Sequence, residues 1–184
     1  MYMRENVVFA RDVDVERVPD GQAFTLPQGT LGVLTQALGT SFTVAAEGNL
    51  YRLKGEDADA IGRAAPASAA IEVEDPASLT LEDFEVLVWK TLSTCFDPEI
   101  PVDIVQLGLI YECEVTPGKD DLFDVRVLMT LTAAGCGMGD IIAGEARDKI
   151  EGLPRAGKVR VDLTFDPPWG RHRMSESALL ALGL

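Results

Sequence analysis

The sequence predicts a small α+β domain, a mixed sheet with covering helices, over residues 79–184, preceded by a small all-β module over residues 1–55. Two observations predict this division. Short apolar or alternating segments separated by Pro/Gly turns fill the first part, whereas helical and strand periodicities alternate in the second. Between them, residues 56–78 combine charges, alanines and prolines, which predicts a linker that begins with a short helical turn.

The N-terminal part contains several short strand-forming segments that end at turn residues. The predicted strands are Val7–Phe9, Val13–Val18, Leu31–Gln36, Ser41–Ala45 and Leu50–Leu53. The segment Ala46-Glu-Gly-Asn49 between the last two is typical of a hairpin loop. This succession predicts a barrel-like meander, and it contains no cluster of catalytic side chains.

The C-terminal part predicts the element order α-β-β-α-β-α, which forms one sheet covered by helices. Thr80-x-x-Asp83 resembles a capping box, with Asp where Glu or Gln is usual. The helix that follows runs to about Cys95 and has a core stripe of Leu81, Phe84, Val88, Trp89 and Leu92. The other predicted elements are the strands Leu109–Val115, Leu122–Thr132 and Lys158–Phe165 and the helices Asp140–Ile150 and Ser175–Leu182.

The charge of the chain excludes several classes of partner. Its net charge is −14 and its pI is about 4.4, whereas proteins that bind nucleic acids or anionic membranes need basic patches. No run of about 18 apolar residues is present, and the first residues lack the apolar core of a signal peptide. We therefore expect a cytoplasmic protein with no nucleic-acid or membrane partner.

The three cysteines, Cys95, Cys113 and Cys136, leave one unpaired in any disulfide scheme. No Cys-x-x-Cys pair is present, which argues against a four-cysteine zinc or cluster site completed within one chain. Reduced thiols fit this pattern best. Cys113 alternates with apolar strand residues and is predicted to pack in the core, and Cys95 is expected to be passive.

Cys136 is the first candidate for chemistry. It lies in Gly135-Cys-Gly-Met-Gly139, between a predicted strand and the start of a predicted helix. Unpaired backbone N–H groups and the positive end of a helix dipole would favour the thiolate, which binds metals and attacks electrophiles. The glycines allow backbone or ligand to approach closely. The alternative is a small residue that closes a turn.

Asp97 and Glu99 are the second candidates, in the loop Asp97-Pro-Glu-Ile-Pro-Val102. The two prolines restrict the backbone, so both carboxylates are predicted to be held in place. They could bind a metal ion or accept hydrogen bonds from the N–H groups of a neighbouring loop. The alternative is a helix C-terminal turn with solvated acids.

Four further side chains carry weaker signals. Thr130 and Thr132 share a face at the end of a predicted strand, and their hydroxyls could line one pocket with the thiol of Cys136. Trp169 follows Asp166-Pro-Pro and either packs at the end of the sheet or serves as a docking aromatic. His172, the single histidine, lies between two arginines and is predicted to be a solvated surface residue.

Taken together in this order, the loops resemble those of the SufT/PaaD-like family of iron–sulfur assembly proteins. The resemblance covers about Leu79 to Leu184 and rests on the Asp97 loop, Leu107-Gly-Leu-Ile-Tyr111, Met129-Thr-Leu-Thr with Cys136, and Asp166-Pro-Pro-Trp169 with Met174-Ser. The N-terminal part, with Phe24-Thr-Leu-Pro-Gln-Gly-Thr30, resembles the extra module of the SufT-type members. Many members have Cys-Pro after the threonines, whereas here Cys136 precedes Gly-Met-Gly.

This resemblance implies an accessory factor, not an enzyme, that helps deliver iron–sulfur clusters to client proteins. It implies that Cys136 contacts iron or a transient cluster, with Asp97, Glu99 and Thr132 at the same site. Because a cluster normally takes four protein ligands, a second subunit of a homodimer, a small thiol or a client would complete a labile site. The expected partners are iron–sulfur carrier or scaffold proteins and client apo-proteins.

Two other functions stay open at this stage. The domain could be a scaffold that bridges carriers and clients through its loops and Trp169 without binding metal. It could also be a thiol enzyme with Cys136 as nucleophile, which needs a general base such as His172. The cluster type, the clients and the role of the N-terminal module do not follow from the sequence.

Overall fold

The computed structural model describes residues 4–66, 73, 75–133 and 137–184. These residues form two compact units. The first unit contains residues 4–66 together with Phe96–Pro101, Gly137 and Met138, and the second unit contains the remaining described residues. Although Phe96–Pro101 lies in the C-terminal part of the sequence, it therefore belongs to the first unit.

The first unit is built on one six-stranded antiparallel sheet. Its strands are β1 (Glu5–Val8), β2 (Val13–Val18), β3 (Ala23–Leu26), β4 (Leu31–Leu38), β5 (Ser41–Ala46) and β6 (Asn49–Lys54), and their order is β1-β4-β5-β6-β2-β3. A 3-10 helix at Gly55–Ile61 follows β6. One face of the sheet carries a core that includes Leu34, Val44 and Leu53, each fully buried.

The predicted meander is wrong in its pairing. In a meander each strand pairs with its neighbour in sequence, whereas here β1 pairs with β4 and β2 pairs with β6. Strand β3 was not predicted. It lies at an edge of the sheet, and only Leu26 among its four residues is buried. Its sequence therefore lacks the apolar alternation that predicts a strand.

The second unit is a three-stranded mixed sheet with helices, which confirms the predicted α+β class. Its elements are α1 (Leu81–Leu92), β7 (Ile110–Pro117), β8 (Phe123–Met129), α2 (Gly139–Glu151), β9 (Ala156–Leu163) and α3 (Glu176–Leu182). Strands β7 and β8 are antiparallel, and β8 pairs in parallel with β9, which it reaches through α2. No helix in the described part of the chain is long and apolar enough to span a membrane.

Local sequence signals account for the start and the buried side of α1. The capping box is confirmed: Asp83 N–H donates to Thr80 Oγ1 at 3.1 Å, and Thr80 N–H donates to the Asp83 carboxylate at 3.2 Å. Phe84, Val88 and Leu92 are fully buried, as the stripe predicts, whereas Leu81 at the first position of the helix is 39% exposed.

Strand β8 and helix α2 set the geometry of the loop between them. The alternating residues Phe123, Val125, Val127 and Met129 are all buried. The strand ends at Met129, three residues before the predicted end, so both candidate threonines follow it. Asp140 lies in the first turn of α2, as predicted, where the helix dipole favours a carboxylate.

Candidate functional site

Asp97 lies in a tight turn that fixes its carboxylate. Its Oδ1 accepts hydrogen bonds from the backbone N–H groups of Glu99, at 2.8 Å, and Ile100, at 2.9 Å. The residue is only 8% exposed, and no hydrogen bond reaches its Oδ2 from the described residues. Burial raises the pKa of Asp97, although the two N–H groups oppose that shift. The turn therefore presents a buried carboxyl whose Oδ2 has no hydrogen-bond partner among the described residues.

Glu99 provides a second carboxyl two residues along the same loop. Its side chain is exposed, yet partial burial raises its pKa, and the charge of Asp97 raises it further. The Asp97 charge thus disfavours ionisation of Glu99, and a cation or a hydrogen-bond donor would stabilise both carboxylates. The prediction that these acids are placed rather than freely solvated is confirmed for Asp97.

The two candidate threonines belong to the second unit. Thr130 is 1% exposed, and its Oγ1 has no hydrogen-bond partner in the described part of the chain. Its backbone N–H donates to Leu109 O at 2.8 Å, which continues the β7–β8 pairing by one bond. Thr132 is half-buried. That both hydroxyls line one pocket with Cys136 stays a prediction.

Cys136 lies outside the described residues, but two glycines beside it are described. A Cβ on Gly137 would lie 1.9 Å from the backbone oxygen of Asp20, in the turn between β2 and β3. A Cβ on Gly139 would lie 2.7 Å from Leu131 Cδ1. The prediction that these glycines let backbone approach closely is therefore confirmed at Gly137, whereas the close neighbour of Gly139 is the end of a side chain.

The other two cysteines are poor candidates for a reactive thiolate. Cys95 is fully buried, and burial raises its pKa to about 12. Cys113 is half-buried on β7, less enclosed than predicted, and burial followed by the charge of Glu85 raises its pKa to about 11. Burial therefore disfavours the thiolate, the form that binds metals, at both cysteines.

The segment that contains Trp169 is tied to the loop before β7. The indole N–H of Trp169 donates to Leu107 O at 2.8 Å, and the hydroxyl of Tyr111 donates to Pro167 O at 2.8 Å. The Arg173 guanidinium lies 3.9 Å from the centre of the Tyr111 ring. Two motifs that stand far apart in the sequence thus meet in space, and the half-buried Trp169 has its N–H bonded internally.

Gly108 allows the loop before β7 and the C-terminal segment to approach each other closely. Its φ is +69°, and a Cβ there would lie 2.1 Å from Arg173 O. A side chain at this position would therefore be strained by the backbone and would also clash with the C-terminal segment.

Asp103 is a buried polar residue that the sequence reasoning missed. Its Oδ1 accepts the N–H groups of Val105, at 3.0 Å, and Gln106, at 2.9 Å, and its Oδ2 accepts Gln106 Nε2 at 2.6 Å. Gln106 Oε1 in turn accepts from Ser177 at 2.9 Å. The signal was present, because Asp103 repeats the Asp-x-x turn of Asp97 six residues later.

His172, the only histidine, is exposed, as predicted. Within the described ranges, no group of three or more His, Cys, Asp or Glu side chains is placed to hold a metal ion. The described candidates are thus the two carboxyls in the first unit and the two threonines and Trp169 in the second.

Comparison with known proteins gives this arrangement a family. Residues 85–163 match the family described as iron–sulfur cluster assembly protein. An Fe-S protein maturation auxiliary factor of Porphyromonas gingivalis is 46% identical over 94 residues, which cover 51% of this chain and 86% of that protein. The Fe-S protein maturation auxiliary factor YitW of Bacillus subtilis is 39% identical over 97 residues, which cover 53% of this chain and 91% of that protein. The factor SufT of Staphylococcus aureus is 39% identical over 88 residues, which cover 48% of this chain and 96% of that protein.

The chain belongs to the iron–sulfur cluster assembly protein family. Within it, the chain is similar to proteins named as SufT-like maturation auxiliary factors, as its loops predict. These relatives are covered almost completely by a match to about half of this chain. The Staphylococcus SufT therefore has no room for a module like the first 55 residues, so that module does not mark every protein named SufT.

Proposed function

We propose that this chain is a non-catalytic accessory factor in the maturation of iron–sulfur proteins. In this proposal Cys136 contacts iron or a transient cluster, and Asp97 and Glu99 shape the pocket. The cluster is cargo that passes to client apo-proteins, and carrier or scaffold proteins supply it. A homodimer, a small thiol or a client completes the ligand set.

The carrying observation is the match to maturation auxiliary factors over 86–96% of their length, at 39–46% identity. The pKa values of the cysteines add support. Burial and raised pKa values make Cys95 and Cys113 weaker candidates for a soft ligand, which favours Cys136 in this proposal. Asp97 adds a fixed carboxyl whose Oδ2 has no partner among the described residues and could bind iron or accept a hydrogen bond from a partner protein.

The first test measures the activity of a cluster-dependent client such as aconitase. Extracts of a deletion strain that carries wild-type, Cys136→Ser or Cys113→Ser chain are compared during growth in low iron. We expect wild type and the matched control Cys113→Ser to restore activity and Cys136→Ser to lose most of it. Normal client activity in the deletion strain itself would contradict the proposed function.

Metal analysis then separates cluster contact from scaffolding. Wild-type and Cys136→Ser protein are purified without oxygen, after exposure to ferrous iron and sulfide, and bound iron and sulfide are counted. Iron that depends on Cys136 supports contact. Restored client activity by Cys136→Ser, or iron binding that is the same in both proteins, would instead favour a scaffold that bridges carriers and clients.

A further inference from the structure

A bulge in the first unit brings two polar side chains to one face of the sheet. Leu34 is paired with Val44, and the next pair is Gln36 with Thr43, so Thr35 is an extra residue in β4. Without that extra residue, Gln36 would point to the same side as the buried Leu34. The bulge instead places Gln36 directly opposite Thr43, with their Cβ atoms about 5 Å apart, on the face of the sheet that does not carry the core.

These two side chains donate to two consecutive carbonyls of the Asp97 loop. Gln36 Nε2 donates to Asp97 O at 2.9 Å, and Thr43 Oγ1 donates to Pro98 O at 3.0 Å. Thr43 is only 3% exposed, although it lies opposite the core face. All three groups belong to the first unit. Buried carbonyls need donors, and the β module supplies both of these.

The hydrogen bonds hold the turn from the side opposite its carboxylate. The carboxylate of Asp97 binds the N–H groups of Glu99 and Ile100 within the loop, while the carbonyls of Asp97 and Pro98 are bound by the module. Proline has no N–H, so the loop itself has few donors with which to fix its carbonyls. Gln36 and Thr43 therefore bind the backbone from which the Asp97 carboxylate projects.

We propose that Gln36 and Thr43 are positioning residues that hold the Asp97–Glu99 pair in its working geometry. This gives the N-terminal module a role at the candidate site, which is to support the Asp97 loop. The link to cluster maturation rests on the proposed function, whereas the support of the loop does not.

The test is amide hydrogen exchange of the full chain, compared between wild type and Gln36→Leu/Thr43→Val. We expect exchange at the amides of Glu99 and Ile100 to become roughly tenfold faster, as loss of one or two supporting hydrogen bonds implies. The amides of Val105 and Gln106, which the Asp103 turn holds, serve as internal control and should not change. Thr43→Ser, which keeps the hydroxyl, should exchange like wild type.

Two further variants keep the test decisive. Thr25→Val removes a hydroxyl bond on β3, from Thr25 to Asp14, and should leave the Asp97 turn unchanged. If the double variant does not fold, Gln36→Glu alone replaces the donor by an acceptor at a half-buried position and should still accelerate exchange at Glu99 and Ile100. Unchanged exchange at these amides in a folded variant would overturn the proposal.

The functional arm uses the same variants in the client assay. Faster exchange together with reduced client activation supports positioning of the site, whereas faster exchange with full activation would overturn its link to function. If the wild-type chain itself fails to restore the client, the proposed function fails, and the exchange result still decides whether the module holds the loop.

Discussion

Two aspartate turns, six residues apart, have the same backbone geometry and different chemistry. In each, Oδ1 accepts the N–H groups two and three residues ahead, at Asp97 and again at Asp103. At Asp103 the second oxygen also has a partner, Gln106 Nε2. At Asp97 the second oxygen has none among the described residues, and burial raises the pKa of that carboxyl.

This difference indicates separate roles for the two aspartates, stability for Asp103 and function for Asp97. A buried carboxylate whose hydrogen bonds are complete has nothing left to offer a ligand, so Asp103 is a structural residue. At Asp97 the second oxygen, which has no partner among the described residues, could accept a bond from a group outside the loop. We expect changes at Asp103 to reduce stability and changes at Asp97 to reduce function.

The largest effect is predicted for Asp103→Ala. The change leaves two backbone N–H groups and the Gln106 amide without their acceptor, which should cost about 3 kcal/mol of unfolding free energy. Both tryptophans, Trp89 and Trp169, lie in the second unit, so tryptophan fluorescence during urea unfolding follows this unit. Asp103→Asn keeps an acceptor and should lose less than half as much. Equal losses in both variants would show that the turn does not depend on the Oδ1 acceptor.

A smaller effect is expected for Trp169→Phe. Loss of the bond to Leu107 O should cost about 1 kcal/mol, measured by circular dichroism during urea unfolding. Trp89→Phe is the matched control, because no hydrogen bond of the Trp89 indole is found among the described residues, and it should cost less. A Trp169→Phe chain of unchanged stability that fails to activate the client would instead identify Trp169 as a docking residue.

Local patterns in the sequence predict most of the second unit correctly. The capping box of Thr80 and Asp83, the alternation along β8 and the start of α2 near Asp140 each depend on residues close in sequence. The pairing of β1 with β4 and of β2 with β6 depends on contacts between strands far apart in sequence, which no local pattern encodes. The same limit explains why the predicted meander was wrong.

The fixed turn at Asp97 was predictable from the sequence, whereas the hydrogen bonds that support it from the β module were not. Two prolines around Asp97 signal a fixed loop, whereas the role of Gln36 depends on a bulge that only the strand register reveals. Asp103 escaped notice because its partner Gln106 is an ordinary polar residue. The threonines and Cys136 stay predictions, since neither their mutual distance nor the site around the thiol lies within the described geometry.

The smallest effect on stability, and the sharpest contrast with Asp103, is expected for Asp97→Asn. Asparagine still accepts the N–H groups of Glu99 and Ile100 and stays neutral, so unfolding free energy at pH 7 should be unchanged or slightly higher. Client activation should fall, because the second carboxylate oxygen is lost, whereas Asp103→Asn should activate the client normally. Full activity of Asp97→Asn would remove the carboxylate from the proposed site.

The pH dependence follows from the raised pKa of Asp97. Between its unfolded pKa, about 3.9, and its higher folded pKa, the folded state binds more protons than the unfolded state, so stability falls as pH rises through that interval. Asp97→Asn removes this contribution and should flatten the profile in that interval. It also removes the charge that raises the pKa of Glu99, which should move toward its ordinary value but stay raised by burial. Carboxyl carbon NMR titration measures both shifts, and an unmoved Glu99 pKa would show that the two carboxyls do not interact.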